Sequence, residues 1–357
     1  MAIISKKKKI FKISPHLREY LQTYGREQDI GIQYDDLARY NNSIPLFDQK
    51  GNDTLWETVF YHQSEEKHIH DSLKKIYAIL KADGDVSVIE HLYIDRVDLC
   101  IYGNTKPFRV RIVNRINYLF DYYYVKVSDA SRIYGLDLEH FLSPNKINFL
   151  VKGDTLIEEH IQGIPGDDFI KTYLKDPQLN EIRLAKEFVK FNERCLVRLL
   201  GDMHASNFVV EVIPDFDEIH YRIRAIDFDQ QSYEGRRAIY MPQYFKQNNP
   251  IIALGLKHMK PELELQYRKE ERSLIATRVK SSGVNLYALL NTMTRDTIST
   301  PENIESLKND LARLYNDKEF LSCVNMGEIV KASLKMVFKQ PVRDKYHFAK
   351  KTARYVI

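Results

Sequence analysis

From Glu90 to Asp129 the chain reads "EHLYIDRVDLCIYGNTKPFRVRIVNRINYLFDYYYVKVSD", and much of it alternates in character with a period of two. Arg109 and Arg111 stand against Val110 and Ile112, and Tyr124 and Lys126 against Val125 and Val127. That period places one set on each face of a pleated strand and does not match the 3.6-residue repeat of a helix. Turn formers at residues 102–107 and 114–117 divide the segment into three strands. A short helix is expected over residues 131–141. Two further strands follow, "KINFLVKGD" and "TLIEEHI", and then the turn-rich "QGIPGDD". Three strands, a helix and two strands, in that order, constrain what the rest can be.

Residues 1–85 read as a helical extension. Thr54 and Glu57 have the spacing of a capping box, in which two side chains satisfy each other's orphan backbone donors. Trp56, Phe60, Ile69, Leu73, Ile76, Ile79 and Leu80 recur mostly at steps of three and four, predicting an amphipathic helix over residues 54–81. It breaks near Ser64 and is stopped by Gly84. Such a helix is marginal alone in water, so its stripe should be buried on the outside of the strand-rich lobe, against its sheet or the short helix that carries Glu139. Residues 86–161 form the strand-rich lobe. Residues 162–357 are helical except for one hairpin, with arms at 208–213 and 219–226 and a turn at 214–217. Thr300-Pro301-Glu302 marks a helix start, a hydroxyl cap followed by proline.

The hairpin is bracketed by polar residues. "LLGDMHASNFVV" sets Asp202, His204 and Asn207 before its first arm, and "AIDFDQQ" sets Asp227 just after its second. The outer ends of a hairpin lie side by side, so Asp202, Asn207 and Asp227 should converge. Asn207 and Asp227 are hard oxygen donors suited to Mg²⁺, which completes its shell with phosphate and water. Asp202 beside them can accept the proton of an attacking hydroxyl. Metal and base together are the apparatus of phosphoryl transfer.

"GDMHASN…IDFD" resembles the catalytic loop and metal motif of the protein-kinase-like superfamily. The Gly-Asp-x-His-x-x-Asn form is similar to its aminoglycoside phosphotransferase and choline kinase branch. The resemblance spans residues 90–230. It implies an α+β, two-lobed fold with a small five-stranded antiparallel N-lobe and a mostly helical C-lobe, preceded by the helical extension. By position it implies Asp202 as base, Asn207 and Asp227 as metal ligands, and Lys126 on the ATP phosphates. Glu139, or Asp137 on the same helix, would be the ion-pair partner of Lys126. Backbone groups near Glu159 and Ile161 would meet adenine, and the glycine-rich loop is reduced to Gly103-Asn104. Leu200 stands where this branch usually has histidine, and Asp229 where glycine follows Asp-Phe. The implied activity is an ATP- and Mg²⁺-dependent kinase acting on a hydroxyl, most simply of a small molecule, with ATP or GTP left open. No motif between residues 240 and 340 identifies the acceptor.

Each of these residues also has a plainer reading. Asp202 and His204 could cap a turn, Lys126 could be an ordinary strand lysine, and Gly103-Asn104 a plain hairpin turn; only their order raises them. His204 reads as a loop-holding residue rather than a ligand. His68-Ile69-His70-Asp71 is not a metal cluster, because residues two apart face different ways on a helix. A metallophosphoesterase would need Gly-Asn-His after "GDMH", and none follows. A pseudokinase that binds nucleotide or a partner without chemistry is the second reading, kept by the thin glycine loop.

Composition adds exclusions. Fifty-three basic against 49 acidic side chains leave a net charge of +4, too balanced to indicate nucleic acid. Three distant cysteines, Cys100, Cys195 and Cys323, fit no disulfide framework or zinc site and suit a reducing compartment. Lys6 to Lys9 and Lys12 form a basic run read as a solvated tail. No apolar stretch of signal-peptide or membrane-spanning length follows it, so a cytoplasmic location is expected.

Overall fold

Seven antiparallel strands build one sheet in the computed structural model, which describes residues 8–82, 84–102, 105–216 and 218–339. They are β1 (Asn42–Phe47), β2 (Asp53–Phe60), β3 (Leu92–Cys100), β4 (Phe108–Asn114), β5 (Phe120–Val127), β6 (Phe149–Lys152) and β7 (Thr155–Glu159). Their spatial order is β1-β2-β3-β4-β5-β7-β6. Helices α1 (Pro15–Thr23) and α2 (Tyr34–Ala38) precede the sheet, and α3 (Gln63–Lys81) joins β2 to β3. Gly103 and Asn104, the expected phosphate loop, and Lys6 and Lys7 of the basic run lie outside the described residues.

β3 to β7 are the five strands read from the sequence. β1 and β2 correct that reading, since they come from the segment expected to be a helical extension. Thr54 and Glu57, spaced as a capping box, serve strand pairing instead. Thr54 Oγ1 donates to the Leu46 carbonyl at 2.6 Å, and Ser43 Oγ donates to Glu57 Oε2 at 2.7 Å. A cap is worth about 1 kcal/mol. Against it stand the β-branched Thr58 and Val59, and the edge of β3, which pairs Trp56 with Cys100 and buries Val59 opposite Val97. Tertiary pairing wins, and the helix starts only at Gln63.

The rest of the stripe behaves as helix periodicity requires. Ile69, Leu73, Ile76 and Leu80 of α3 share one core with Val97, Leu99, Val110, Ile112, Tyr123, Val125 and Ile157 of the sheet. The Tyr123 hydroxyl, fully buried, donates to the Leu73 carbonyl at 2.8 Å. On other strand positions the Asp98 carboxylate accepts from Thr58 Oγ1 at 2.9 Å, Arg96 Nε at 3.0 Å and Arg109 Nη2 at 2.8 Å, while Arg109 lies over the Trp56 ring.

Residues 12–129 and 147–160 make up this unit. Residues 12–85 are therefore built into the sheet unit. Of the described residues, 8–11, 130–146, 161–216 and 218–339 make up a second, mainly helical unit. It contains α4 (Ala130–Leu142), β8 (Ile164–Pro165), α5 (Gly166–Thr172), α6 (Glu181–Arg198), β9 (Phe208–Asp215), β10 (Glu218–Ala225), α7 (Asn249–His258), α8 (Pro261–Met293), α9 (Pro301–Tyr315) and α10 (Met326–Lys335). The expected hairpin is β9 and β10, with β8 added at its edge. Thr300 caps α9 as read, its Oγ1 accepting from Asn303 N at 3.3 Å.

α4 was expected with the strands, yet it belongs to the helical unit. Residues 130–139 are all buried, so no face remains to mark its side from periodicity alone. Tyr134 donates to Asp296 Oδ2 at 2.6 Å, Ser131 to the Gln231 carbonyl at 2.6 Å, and Glu139 pairs with Arg198 of α6. α6 is the unit's central helix. Phe191 packs edge-on against Phe208 of β9, and the buried Glu193 carboxylate pairs with Arg268 at 2.9 Å and with Arg272, both on α8.

The chain is thus α+β, an antiparallel sheet unit and a mainly helical unit. Its order of strands, inserted helix, strands and then helices around one hairpin is the order expected of the kinase-like fold, with seven strands in place of five. Among the described residues no helix is long and apolar enough to cross a membrane.

Candidate catalytic and metal site

The segment between α6 and β9 is held by backbone rather than by regular structure. α6 ends on Leu199 in the left-handed region, at φ 56°. Gly201 N donates to the Gln230 carbonyl at 3.2 Å, and Asp202 N to the Ile239 carbonyl at 3.0 Å. A β-carbon on Gly201 would sit 3.0 Å from that Gln230 oxygen, so glycine lets the two backbones meet. Asp202 itself is left-handed, at φ 62°. A non-glycine residue there costs of order 1–3 kcal/mol and persists only where its surroundings over-determine it. Asn248 supplies part of that support, donating to the Met203 carbonyl at 2.9 Å.

The hairpin then does what its topology requires. Ala225 is opposite Phe208, and Ile226 N donates to the Asn207 carbonyl at 3.0 Å, so Asp227 follows directly beside Asn207. Asn207 Nδ2 donates to the Asp202 carbonyl at 2.9 Å and reaches Asp202 Oδ2 at 3.5 Å. Asp202, Asn207 and Asp227 are therefore brought together. His204 caps the turn before β9, its Nδ1 accepting from Ser206 N at 3.3 Å, and its ring lies beside Phe245.

The electrostatics are acidic. Burial, reinforced by the charges of Asp227, Glu234 and Asp229, pushes the Asp202 carboxyl up to about 7. Burial also raises Glu234 and lowers His204 below its ordinary value. Arg132 of α4 pairs with both the Asp227 and the Asp229 carboxylate. Sequence reading passed over Arg132, Glu234 and Asn248. Arg132 falls seven residues before Glu139 on one helix face, a weak signal that means nothing until α4 is placed.

A divalent cation fits these residues. The Asp227 and Asp229 side chains keep 35 % and 30 % of their exposure, and Asn207 Nδ2 is committed to Asp202, which leaves its oxygen as the donor to metal. Among the described residues no three His, Cys, Asp or Glu side chains form a metal cluster by themselves. The set suits Mg²⁺, which uses one or two protein carboxylates and takes the remaining ligands from phosphate and water.

The other site residues lie elsewhere. Lys126 on β5 is buried, and its Nζ pairs with Glu158 Oε2 at 2.9 Å. β5 and β7 pair Lys126 with Leu156, so Glu158 is the diagonal neighbour on the same face. Within its own unit Lys126 pairs with Glu158, and Glu139, the partner expected for it, pairs with Arg198 within the other. Asp137, the other candidate partner, is buried on α4. Glu159 N donates to the Asn148 carbonyl at 3.1 Å and His160 N to that of Tyr122 at 3.2 Å, so both amides at the expected adenine segment serve the sheet. Ile161 follows, buried.

No family model and no curated protein matches the chain. Among solved structures it is similar to the autoinhibited serine kinase domain of the giant muscle protein titin, at 13 % identity and a TM-score of 0.28, covering 72 % of this chain and 84 % of that one. It is also similar to titin kinase with its flanking domains, at 12 % identity and a TM-score of 0.27, covering 75 % of this chain and 51 % of that one.

Proposed function

We propose that the chain is an ATP- and Mg²⁺-dependent phosphotransferase acting on a hydroxyl, most simply of a small molecule in the cytoplasm. The observation that carries this reading is the stitched set Asp202, Asn207 and Asp227, joined by Asn207 Nδ2 to Asp202 and by Ile226 N to Asn207. Asp202 is the base that orients and deprotonates the acceptor, held in a left-handed conformation that only its fixed loop sustains. Asn207 and Asp227 hold the metal, which when bound offsets phosphate charge. Lys126 contributes an ammonium to the nucleotide phosphates. With the amides of Glu159 and His160 engaged in the sheet, adenine is met by carbonyls of that segment and by the Ile161 backbone.

A second reading has its own observation. Arg132 already pairs with the Asp227 and Asp229 carboxylates, as a nucleotide-binding pseudokinase would tolerate. Phosphoryl transfer from ATP, assayed with Mg²⁺ over a panel of hydroxyl compounds and with ATP hydrolysis as background, separates the two. The expected result is Mg²⁺-dependent turnover that Asp227→Ala reduces by at least about 100-fold, with a raised Mg²⁺ requirement. Absence of turnover together with intact nucleotide binding favours the pseudokinase. Turnover unaffected by Asp227→Ala refutes the site.

A further inference from the structure

α4 delivers a permanent cation into the acidic cluster. Arg132 Nη1 donates to Asp227 Oδ1 at 2.9 Å and to Asp229 Oδ1 at 2.7 Å, and Nη2 approaches the Ile226 carbonyl at 3.4 Å. The arginine side chain is only 4 % exposed, far less than the carboxylates that it bridges. Guanidinium does not deprotonate in proteins, so this charge is always present.

Nor can the arginine leave easily, because its helix is fixed within the unit. Ser131, next in sequence, bonds the Gln231 carbonyl; Tyr134 bonds Asp296; Glu139 pairs with Arg198. At Gly135 the helix backbone passes so close to the second acidic segment that a β-carbon would lie 3.0 Å from that of Phe228, between the two aspartates. α4 and the Asp227–Asp229 turn are therefore one packed object, with the guanidinium built into it.

We propose that Arg132 is a resident counter-cation that competes with divalent metal for Asp227, so that metal alone binds weakly and is admitted together with an anionic phosphate ligand. The guanidinium that bridges Asp227 and Asp229 offsets part of their negative charge, and a bare dication at Asp227 would stand against that fixed positive charge. A nucleotide's phosphates restore the balance and can accept the hydrogen bonds that the guanidinium gives up. The inference rests on the reading of Asn207 and Asp227 as metal ligands.

The test uses Mn²⁺ alone, without nucleotide, titrated calorimetrically into the full chain and its Arg132→Gln variant. Removing the competing charge should tighten Mn²⁺ by about tenfold, while Arg132→Lys, which keeps the charge, should stay near the parent. A merely structural role for Arg132 predicts the opposite sign, since a loosened loop binds metal worse. Arg132→Met, which keeps the apolar stem, gives the same comparison if Arg132→Gln does not fold. Mn²⁺ affinity unchanged or weakened in the Gln and Met variants, while Asp227→Ala still abolishes binding, overturns the role of Arg132 and leaves the metal site standing. Mn²⁺ binding indifferent to Asp227→Ala refutes the metal reading, and this inference with it.

Discussion

Asp202→Asn should make the protein more stable as well as inactive, by an amount that grows as pH rises. The Asp202 carboxyl is pushed from 3.8 to about 7 by burial and by the carboxylates of Asp227, Glu234 and Asp229. Between those two values the folded chain holds a proton that the unfolded chain has lost, so stability falls as pH rises through the window and the full penalty applies above 7. Three powers of ten in proton affinity at about 1.4 kcal/mol each set a ceiling of about 4 kcal/mol. The side chain keeps 17 % of its exposure, and solvent screening lowers that ceiling to about 2 kcal/mol. Asparagine removes the charge and tolerates the left-handed backbone that this position requires. Asn207 Nδ2 still has the main-chain carbonyl of residue 202 to bond. The gain in urea unfolding, followed by far-UV circular dichroism, should grow from about 0.5 kcal/mol near pH 4.5 to about 2 kcal/mol at pH 8. A gain independent of pH, or a loss at pH 8, would refute the reasoning that the cluster holds Asp202 at a cost.

Two further outcomes are expected. Glu139→Ala leaves the buried Arg198 guanidinium without its α4 partner, and thermal or urea unfolding should show a loss of about 3–5 kcal/mol; a loss below about 1 kcal/mol would mean that the pair does not anchor α4. A chain beginning at Asp85 lacks β1, β2 and α3, and with them the fully buried Leu73 and Ile76. At about 2–5 kcal/mol for each large core side chain against a total stability of about 5–15 kcal/mol, it should fail to fold, and a soluble product with the parent's melting temperature would show that the segment is dispensable.

The sequence alone determined whatever depends on near neighbours. The period-two run from Glu90 to Asp129 became β3, β4 and β5 because alternation is a property of the strand itself. The hairpin after Asn207 carried Asp227 back to it, because a two-stranded ribbon closes its outer ends wherever it sits. That is why the candidate site was legible before any tertiary arrangement was known. Tertiary structure decided the rest, wherever an element had a choice of partner. Thr54 and Glu57 had helix-start spacing, but β3 had an edge to fill, and a row of pairings outweighs one cap. Lys126 took Glu158 because the register of β5 against β7 puts them diagonally on one face, a fact of pairing and not of sequence distance. Most of α4 is buried on every side, so periodicity could not say which unit would hold it, and its placement sent Glu139 to Arg198 and Arg132 to Asp227 and Asp229. Charge partners distant in sequence are chosen by packing, and packing is what a single chain read residue by residue does not contain.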